Sequence, residues 1–372
     1  MFVPLYDFER HVGVLEKEIV SSMHSVMERQ DFIMGQEVKE LEKQIAEYTG
    51  TSFAFGVSSG TDALLLSLMS LGINAGDEVI TTPFSFFSTA SVIARLGARP
   101  VFVDVERESL NLDTSDISAV INEKTKAIIP VHIYGRMAKL DSLINLKSDF
   151  DFSIIEDVAQ ALGAKDKNGM AGSVGDIGCF SFYPTKNLGA FGDAGMITTS
   201  SDELAKRITS LRIHGSSDGK IYESIGGNFR LDTLQAAVLL VKLKKIEEWN
   251  NERLKLAKNY NQFIEELGIQ EFVRTPRVLE DGHVFHQYVV RVGYREELRN
   301  YLQSKNISTG IYYTEPLHLQ PCFQYLDYKI GDFPECELAC REVLSLPIFP
   351  GLKVEEQSFV VENVEQFYKN KK

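Results

Sequence analysis

The sequence predicts an α/β protein with a mostly parallel, seven-stranded sheet in a large domain and a smaller C-terminal α/β domain. Short runs rich in β-branched residues, such as VFVDV and AIIPV, alternate with helix-like stretches from Phe53 to about Ser200. These runs are polar only at their ends, as expected of strands that are buried on both faces. The chain has 372 residues, which is enough for two domains.

Seven strands and three intervening helices are predicted in the large domain. The strands are Ser52–Val57, Glu78–Thr82, Pro100–Val105, Ala127–His132, Ser153–Glu156, Ile177–Tyr183 and Ala194–Thr199. The helices are Thr61–Leu71, Phe86–Leu96 and Leu140–Leu146. Because the last two strands follow each other closely, they can form a hairpin.

The remainder of the chain reads as a connecting helix and a small domain. Apolar residues recur at three and four positions over Leu231–Leu267, which predicts one long helix ended by Gly268. Two strands, Gln287–Val292 and Thr309–Tyr313, and three helices, Arg295–Lys305, Cys336–Leu344 and Glu355–Tyr368, are predicted beyond it. We therefore expect domains at residues 1–240 and 241–372.

The net charge, the N-terminal segment and the cysteine spacing argue against several classes of protein. A formal net charge of −13 argues against a nucleic-acid partner, because phosphate binding needs a basic face. Neither a secretory signal at Met1–Val14 nor an apolar run of about 20 residues is present, so we expect a cytoplasmic protein without a membrane partner. The spacing of the four cysteines suits neither a metal site nor a redox motif.

Polar clusters follow several of the predicted strands, at the sheet edge where open parallel sheets bind ligands. Gly60 and Thr61 open a helix, and free N–H groups at a helix N-terminus can bind an anion, although such a motif in isolation is far more often a structural cap. Phe84 could stack on a planar ligand or belong to the core. Asp157 ends a strand, with Gln160 one turn later, and either pairs with a ring nitrogen or caps a helix.

Lys186 lies in the run FSFYPTKNLG, among aromatic and glycine residues that are unusual company for a surface lysine. Burial lowers the pKa of a lysine and frees its amine as a nucleophile. The cofactor pyridoxal phosphate (PLP) needs four such groups in a protein. The helix N-terminus would bind its phosphate, the aromatic ring would stack on its ring, the aspartate would pair with its ring nitrogen, and the lysine would react with its aldehyde. The pattern predicts a PLP enzyme with Lys186 and Asp157 as catalytic residues.

The motifs SGTDALLLSL, IIEDVAQALGA, CFSFYPTKNLGAFGDAG and GGNFRLDTLQAAVL resemble those of the DegT-type nucleotide-sugar aminotransferases, which are fold-type I PLP enzymes. The resemblance implies that Gly60, Thr61 and Ser181 hold the phosphate, that Phe84 stacks on the ring and that Gln160 contacts the ring hydroxyl. It also implies that Lys186 holds the cofactor as a Schiff base. Asn228 would reach the cofactor of the other subunit, so that the active unit is a homodimer.

The resemblance also suggests a substrate. The run GAFGDAG resembles enzymes that aminate C-3, and SGTDAL resembles those that act on UDP-linked 2-acetamido-3-oxo sugars. L-glutamate is the family's usual amino donor, and lipid A or another surface glycan is the implied destination. The 3-oxo-glucuronate, a dTDP-3-oxo-6-deoxyhexose and a PLP-binding regulator without turnover remain as alternatives.

The group at C-6 of the sugar depends on which cations the site offers. The uronate enzymes have a histidine where Tyr312 stands, which favours the neutral 3-oxo-GlcNAc. Arg212 and Arg230 are the arginines that could instead meet a carboxylate. The candidate substrate-binding residues are Tyr183, Arg230, Tyr312, Tyr313 and His318. Tyr312 and Tyr313 would face opposite sides of their predicted strand.

Overall fold

The computed structural model describes residues 1–216 and 219–371. Its helices are Phe8–Val12 (α1), Glu16–Arg29 (α2), Gln36–Thr49 (α3), Gly60–Ser70 (α4), Ser88–Arg95 (α5), Ile117–Val120 (α6), Asp141–Leu146 (α7), Asp202–Leu211 (α8), Thr233–Leu243 (α9), Ile246–Glu266 (α10), Arg295–Ser304 (α11), Pro334–Glu342 (α12) and Val354–Lys369 (α13). Short 3₁₀ turns span Gly13–Leu15, Ile133–Gly135, Leu317–Leu319 and Pro321–Leu326.

The strands are Phe53–Val57 (β1), Glu78–Thr81 (β2), Arg99–Phe102 (β3), Thr125–Ile129 (β4), Ser153–Asp157 (β5), Lys165–Asp166 (β6), Gly169–Met170 (β7), Ile177–Ser181 (β8), Gly195–Thr199 (β9), Val273–Arg274 (β10), Tyr288–Val292 (β11) and Val343–Leu346 (β12). Seven of them form one sheet in the order β1-β9-β8-β5-β4-β2-β3, and β10, β11 and β12 form a second. The predicted fold class is thereby confirmed.

The large sheet is parallel except for β9, which runs antiparallel to both of its neighbours, β1 and β8. The β8–β9 pairing is the predicted hairpin. Because β1 and β8 both run opposite to β9, their carboxyl ends lie at the same edge of the sheet as that of β5. Buried apolar side chains cover both faces of the sheet, with α4, α5 and α8 on one face and α3 and α9 on the other. The residue pattern of buried strands predicted this arrangement.

The second sheet packs against α10, α11 and α13 in a separate apolar cluster. Val3, near the N-terminus, belongs to that cluster and pairs with Ile307. The predicted boundary after residue 240 falls inside α9, and the division into domains at that position stays a prediction.

Three predicted elements differ from the structure. The long helix breaks at Lys244–Lys245, where Lys245 N–H bonds to the Lys242 carbonyl at 2.9 Å; α9 packs on α2 and α3, and α10 packs on α13. The predicted helix Cys336–Leu344 ends at Glu342, because Val343 and Leu344 pair with β11. Thr309–Tyr313 is not a strand, since only Gly310 forms a bridge, to Ser345.

Candidate active site

The carboxyl ends of β1, β5 and β8 bring the predicted polar clusters together. Asp157 is the last residue of β5 and pairs with Cys179 of β8. Ser181, two residues further along β8, pairs with Gly195, which also pairs with Val57 at the end of β1. The segment that follows β1 therefore starts beside Ser181, and the parallel register places both near Asp157.

The helix α4 begins against Ser181. Ser59 caps the helix by accepting a hydrogen bond from Asp62 N–H at 3.1 Å. A Cβ atom at Gly60 would lie 2.7 Å from Ser181 Cβ, so only glycine allows this approach. The N–H groups of the first helical turn, at Gly60 and Thr61, and the Ser181 hydroxyl thus converge on one place, where the helix dipole favours an anion.

The Asp157 carboxylate is buried and held at both oxygens. Thr89 Oγ1 donates to Oδ2 at 2.9 Å, and Ala159 N–H donates to Oδ1 at 3.2 Å. Burial raises the pKa of Asp157, while these two hydrogen bonds and the charge of Lys186 act in the opposite direction. Thr89, which lies on α5, was not predicted from the sequence, because no motif marks a contact between α5 and the end of β5.

Lys186 lies in the loop between β8 and β9. Its N–H donates to the Tyr183 carbonyl at 2.8 Å, which closes a turn. Burial lowers the pKa of Lys186 to about 8, and the charge of Asp157 opposes that shift. Asn187 anchors the loop, since its Nδ2 donates to Asn250 Oδ1 at 2.7 Å and to the Val284 carbonyl at 3.1 Å. The amine is thus close to Asp157 and partly neutral near pH 8.

Gln160 and Tyr313 meet in this site. Gln160 Nε2 donates to the Tyr313 hydroxyl at 3.0 Å, and its Oε1 accepts from Tyr134 N–H at 2.8 Å. Burial raises the pKa of Tyr313, so the phenol stays protonated. Tyr312 is half-buried, and its hydroxyl interacts with Gln287. Tyr313 is therefore the member of the tyrosine pair that contacts a predicted cofactor residue.

Phe84 cannot be the stacking ring in this conformation. Its side chain is 0% exposed and meets the rings of Tyr134 and Tyr313 edge-on, at centroid distances of 6.2 and 5.8 Å. A ligand would find no open face there. Phe86 is 59% exposed and lies one helical turn before Thr89, the residue that bonds Asp157. Phe86 is thus the candidate that sequence reasoning missed, since both phenylalanines of PFSF precede the same helix.

The remaining predicted site residues, for the substrate and for the cofactor, separate into three groups. His318 is only 1% exposed and packs edge-on against Tyr328 and Phe333, so the structure contradicts a substrate contact. Tyr183 is exposed. Asn228 and Arg230 lie in a cavity of about 390 Å³ that Ser58 also lines, which is beside the start of α4.

The chain matches the DegT/DnrJ/EryC1/StrS aminotransferase family over residues 14–365. It belongs to this family. The aminotransferase is 44% identical to a curated protein of Geobacillus stearothermophilus that is named a pleiotropic regulatory protein, over all of both chains. It is 38% identical to a UDP-N-acetyl-3-dehydro-α-D-glucosamine 3-aminotransferase of Acidithiobacillus ferrooxidans, over 95% of each chain.

A third relative is a UDP-2-acetamido-2-deoxy-3-oxo-D-glucuronate aminotransferase of Pseudomonas aeruginosa, which is 36% identical over 94% of this chain and 96% of its own. Among solved structures, DesV from Streptomyces venezuelae has a TM-score of 0.94 with 36% identity and 98% of each chain covered. NtdA from Bacillus subtilis, solved with bound cofactor PMP, has a TM-score of 0.91 with 31% identity over 99% of this chain and 85% of that one.

The protein is accordingly a PLP-dependent sugar aminotransferase, as the resemblance implied. The residues present fit this cofactor. The converging N–H groups of Gly60 and Thr61 and the Ser181 hydroxyl form a phosphate cradle. Asp157 and Lys186 supply the carboxylate and the amine that the cofactor requires. None of the helices within residues 1–216 and 219–371 is both long and apolar enough to span a bilayer.

Proposed function

We propose that this aminotransferase moves the amino group of L-glutamate to C-3 of UDP-2-acetamido-2-deoxy-3-oxo-glucose. The observation that carries the proposal is the 38% identity, over 95% of each chain, to the Acidithiobacillus enzyme, whose name specifies that type of substrate. The product would be a 2,3-diamino sugar nucleotide. Its destination would be lipid A or another surface glycan, made in the cytoplasm.

The proposed roles follow from the geometry. Bound PLP supplies an electron sink for the reacting carbon. Gly60, Thr61 and Ser181 would bind the phosphate, Phe86 would cover one face of the ring, and Asp157 would pair with the ring nitrogen. The two hydrogen bonds to its oxygens, from Thr89 and Ala159, favour the ionised form of Asp157, which is the form that can hold a proton on that nitrogen.

Lys186 moves the proton in both halves of the proposed cycle. A lysine with a pKa near 8 is partly unprotonated at neutral pH, so its Nζ could take the proton from the donor's α-carbon and pass it to the cofactor in the first half. In the second half the same amine would move a proton from the cofactor to C-3 of the sugar. Gln160 and Tyr313 would orient the cofactor hydroxyl through their mutual hydrogen bond. Because both substrates use one site in turn, we expect ping-pong kinetics.

The arginines of the site favour a neutral group at C-6. Arg212 is buried, and its Nη1 donates to Glu42 and, at 3.0 Å, to the Gly56 carbonyl. Its positive charge is therefore already paired with a carboxylate of the protein. Arg230 shares its cavity with Asp193 and Asp232. The two aspartates outnumber the single arginine, so their net negative charge would repel the carboxylate of a uronate substrate. Burying that carboxylate without a cationic partner would cost several kcal/mol of binding free energy.

Two other substrates and one non-catalytic role are the alternatives to this proposal. The Pseudomonas relative is named for the uronate, and a dTDP-linked 6-deoxy sugar remains a second choice. A PLP-binding regulator without turnover is less consistent with the site, although the Geobacillus relative has a regulatory name. Such a regulator needs no amine with a lowered pKa beside the buried carboxylate of Asp157.

We further propose a homodimer in which Asn228 contacts the phosphate in the partner's site. The resemblance to the family supports this role; within its own chain Asn228 lines a cavity with Ser58, beside the start of α4. Mixing Lys186→Ala with a strongly impaired Asn228→Asp variant should restore activity, because each heterodimer then contains one intact site. Activity that stays absent in the mixture, or that resides in monomers, contradicts shared sites.

Substrate choice is tested in reverse, since 3-oxo sugar nucleotides are unstable. The two UDP 3-amino sugars, neutral and uronate, are each converted with 2-oxoglutarate, and kcat/KM is compared. We expect the neutral sugar to be preferred. A preference for the uronate of about tenfold, or about 1.4 kcal/mol in transition-state binding, would overturn the choice. Arg230→Met sharpens the result, because a loss restricted to the uronate would identify Arg230 as its cation.

A further inference from the structure

A second cavity, of about 410 Å³, lies between the large sheet and the second sheet. Loops after β3 and β10, the 3₁₀ turn Ile133–Gly135 and the strand β11 form its walls. Its lining contains neither Lys186 nor Asp157, nor any residue of the phosphate cradle. Five arginines line it, namely Arg107, Arg136, Arg274, Arg277 and Arg291.

Most of this positive charge has no carboxylate partner. Arg291 pairs with Glu342 at 2.8 Å and lies 3.6 Å from Glu335. Within residues 1–216 and 219–371, no acidic group lies within ion-pair distance of the other four arginines of the cavity. In a chain with a net charge of −13, five arginines surround one cavity whose lining, among the described residues, contains a single carboxylate, Glu108, which leaves a local excess of positive charge.

Two buried arginines point to a missing anion. Arg136 Nη1 donates only to the Glu108 carbonyl, at 3.1 Å. Burial lowers the pKa of Arg136, and the positive charge of Arg277 lowers it further. The charges of Glu106 and Glu108 act in the opposite direction. Arg291 Nη2 is buried and has no hydrogen-bond partner among the described residues. A bound anion would accept such donors and relieve the repulsion between the guanidinium groups.

We propose that this cavity binds a phosphate-bearing small molecule with at least two negative charges. Guanidinium forks bind phosphate oxygens in pairs, which several arginines around one space permit. The volume is within the range of small-molecule sites, roughly 300–1,000 Å³. Leu110, Val278 and Val289 add apolar wall, which an organic phosphate could contact.

Tyr134 separates this cavity from the active site. It lines the cavity, yet its N–H donates to Gln160 Oε1 at 2.8 Å and its hydroxyl donates to the Tyr312 carbonyl. The inferred site is thus an additional one, and it does not depend on the sugar proposed above. Binding can be measured on the holoenzyme without any sugar substrate.

The test is calorimetric titration of PLP-loaded enzyme with inorganic pyrophosphate and, separately, with ADP, a nucleotide that lacks the uracil of the proposed sugar substrate. The cavity variant carries Arg277→Glu, since this side chain is exposed and its replacement leaves the buried arginines in place. Arg299→Glu is the matched control, an exposed arginine on α11 that does not line the cavity. Thermal unfolding checks that all three proteins are folded.

We expect one wild-type site per chain whose affinity falls at least about tenfold in the cavity variant and stays unchanged in Arg299→Glu. The probe that loses more affinity in the cavity variant identifies the ligand class: a loss for pyrophosphate indicates inorganic polyphosphate, and a loss for ADP indicates a nucleotide. Absence of wild-type binding by both probes would overturn the proposal. So would unchanged binding in the cavity variant, or equal weakening by Arg299→Glu, because the charge would then act only diffusely.

Discussion

Two lysines, the half-buried Lys186 and the fully buried Lys242, serve one loop of this aminotransferase in different ways. Burial lowers the pKa of both to about 8. Lys242 Nζ donates to the Gly189 carbonyl and lies 5.5 Å from the centroid of the Phe191 ring. Lys186 Nζ has no hydrogen-bond acceptor among the described residues, and the charge of Asp157 acts on it.

The comparison teaches that a lowered pKa does not by itself identify a catalytic lysine. Lys242 is 0% exposed, and its amine is committed to a backbone carbonyl three residues after Lys186. It therefore holds the loop in place. Lys186 lies at the open edge of the sheet, where its amine is free to react. Position and unused hydrogen-bonding capacity, rather than acidity, distinguish the two residues.

Removing each amine should separate catalysis from structure. Lys186→Ala should reduce transamination on the order of a thousandfold or more, because it removes the proton-transfer group, while the protein stays folded. Lys242→Met should keep most of the activity but lower Tm above about pH 10, where the amine is largely neutral and the main change is that the Gly189 carbonyl loses its donor, at a cost of about 1–3 kcal/mol. Single-turnover rates with glutamate and thermal unfolding measure the two effects. A Lys242→Met variant as inactive as Lys186→Ala would abolish the distinction.

Asp157 should give the next largest effect, because it acts on Lys186 and not on Lys242. Asp157→Asn should slow the glutamate half-reaction by about 100-fold or more, with cofactor binding weakened but detectable. Thr89→Val should slow it less, since the second hydrogen bond to Asp157, from Ala159, remains. Stopped-flow absorption of the bound cofactor measures both. Equal rates in wild type and Asp157→Asn would reduce Asp157 to a helix cap.

The smallest expected effect concerns pH. Both lysines have a folded-state pKa near 8, below the ordinary 10.5, so between these values the unfolded state binds more protons. The free energy of unfolding of the apoenzyme should therefore rise from about pH 8 to about pH 10.5. Lys186→Ala and Lys242→Met should each flatten that rise, whereas Lys244→Met, at an exposed position, should not. Denaturant titrations across this range test it, and unchanged slopes in both buried variants would contradict it.

The sequence was sufficient for the part of the site that depends on strand ends. Asp157 and Lys186 follow apolar strands, and a parallel register necessarily brings such ends to one edge. Gly60 and Ser181 were predicted to share a phosphate seat, and the close approach of Gly60 to Ser181 is consistent with that prediction. The cofactor roles of these residues stay predictions.

Contacts between elements distant in sequence were not predictable in the same way. Thr89 and Phe86 acquire their positions because α5 packs beside the end of β5, and no local pattern shows that. His318 was misplaced because a loop histidine can be buried by aromatic neighbours from other segments. The prediction of a single helix over 231–267 was wrong, because the apolar periodicity of the sequence continues through Lys244–Lys245. The helix breaks there because its two halves pack on different elements.

The most direct test of the account is to identify which lysine carries the cofactor. Borohydride reduction of the PLP-loaded enzyme fixes the cofactor covalently to the amine that holds it, and peptide mass spectrometry then locates it. The account predicts one modified peptide, with the label on Lys186, and an unmodified Lys242. A label on Lys242, or an unlabelled Lys186 in fully loaded enzyme, would contradict the assignment of Lys186 as the reactive amine.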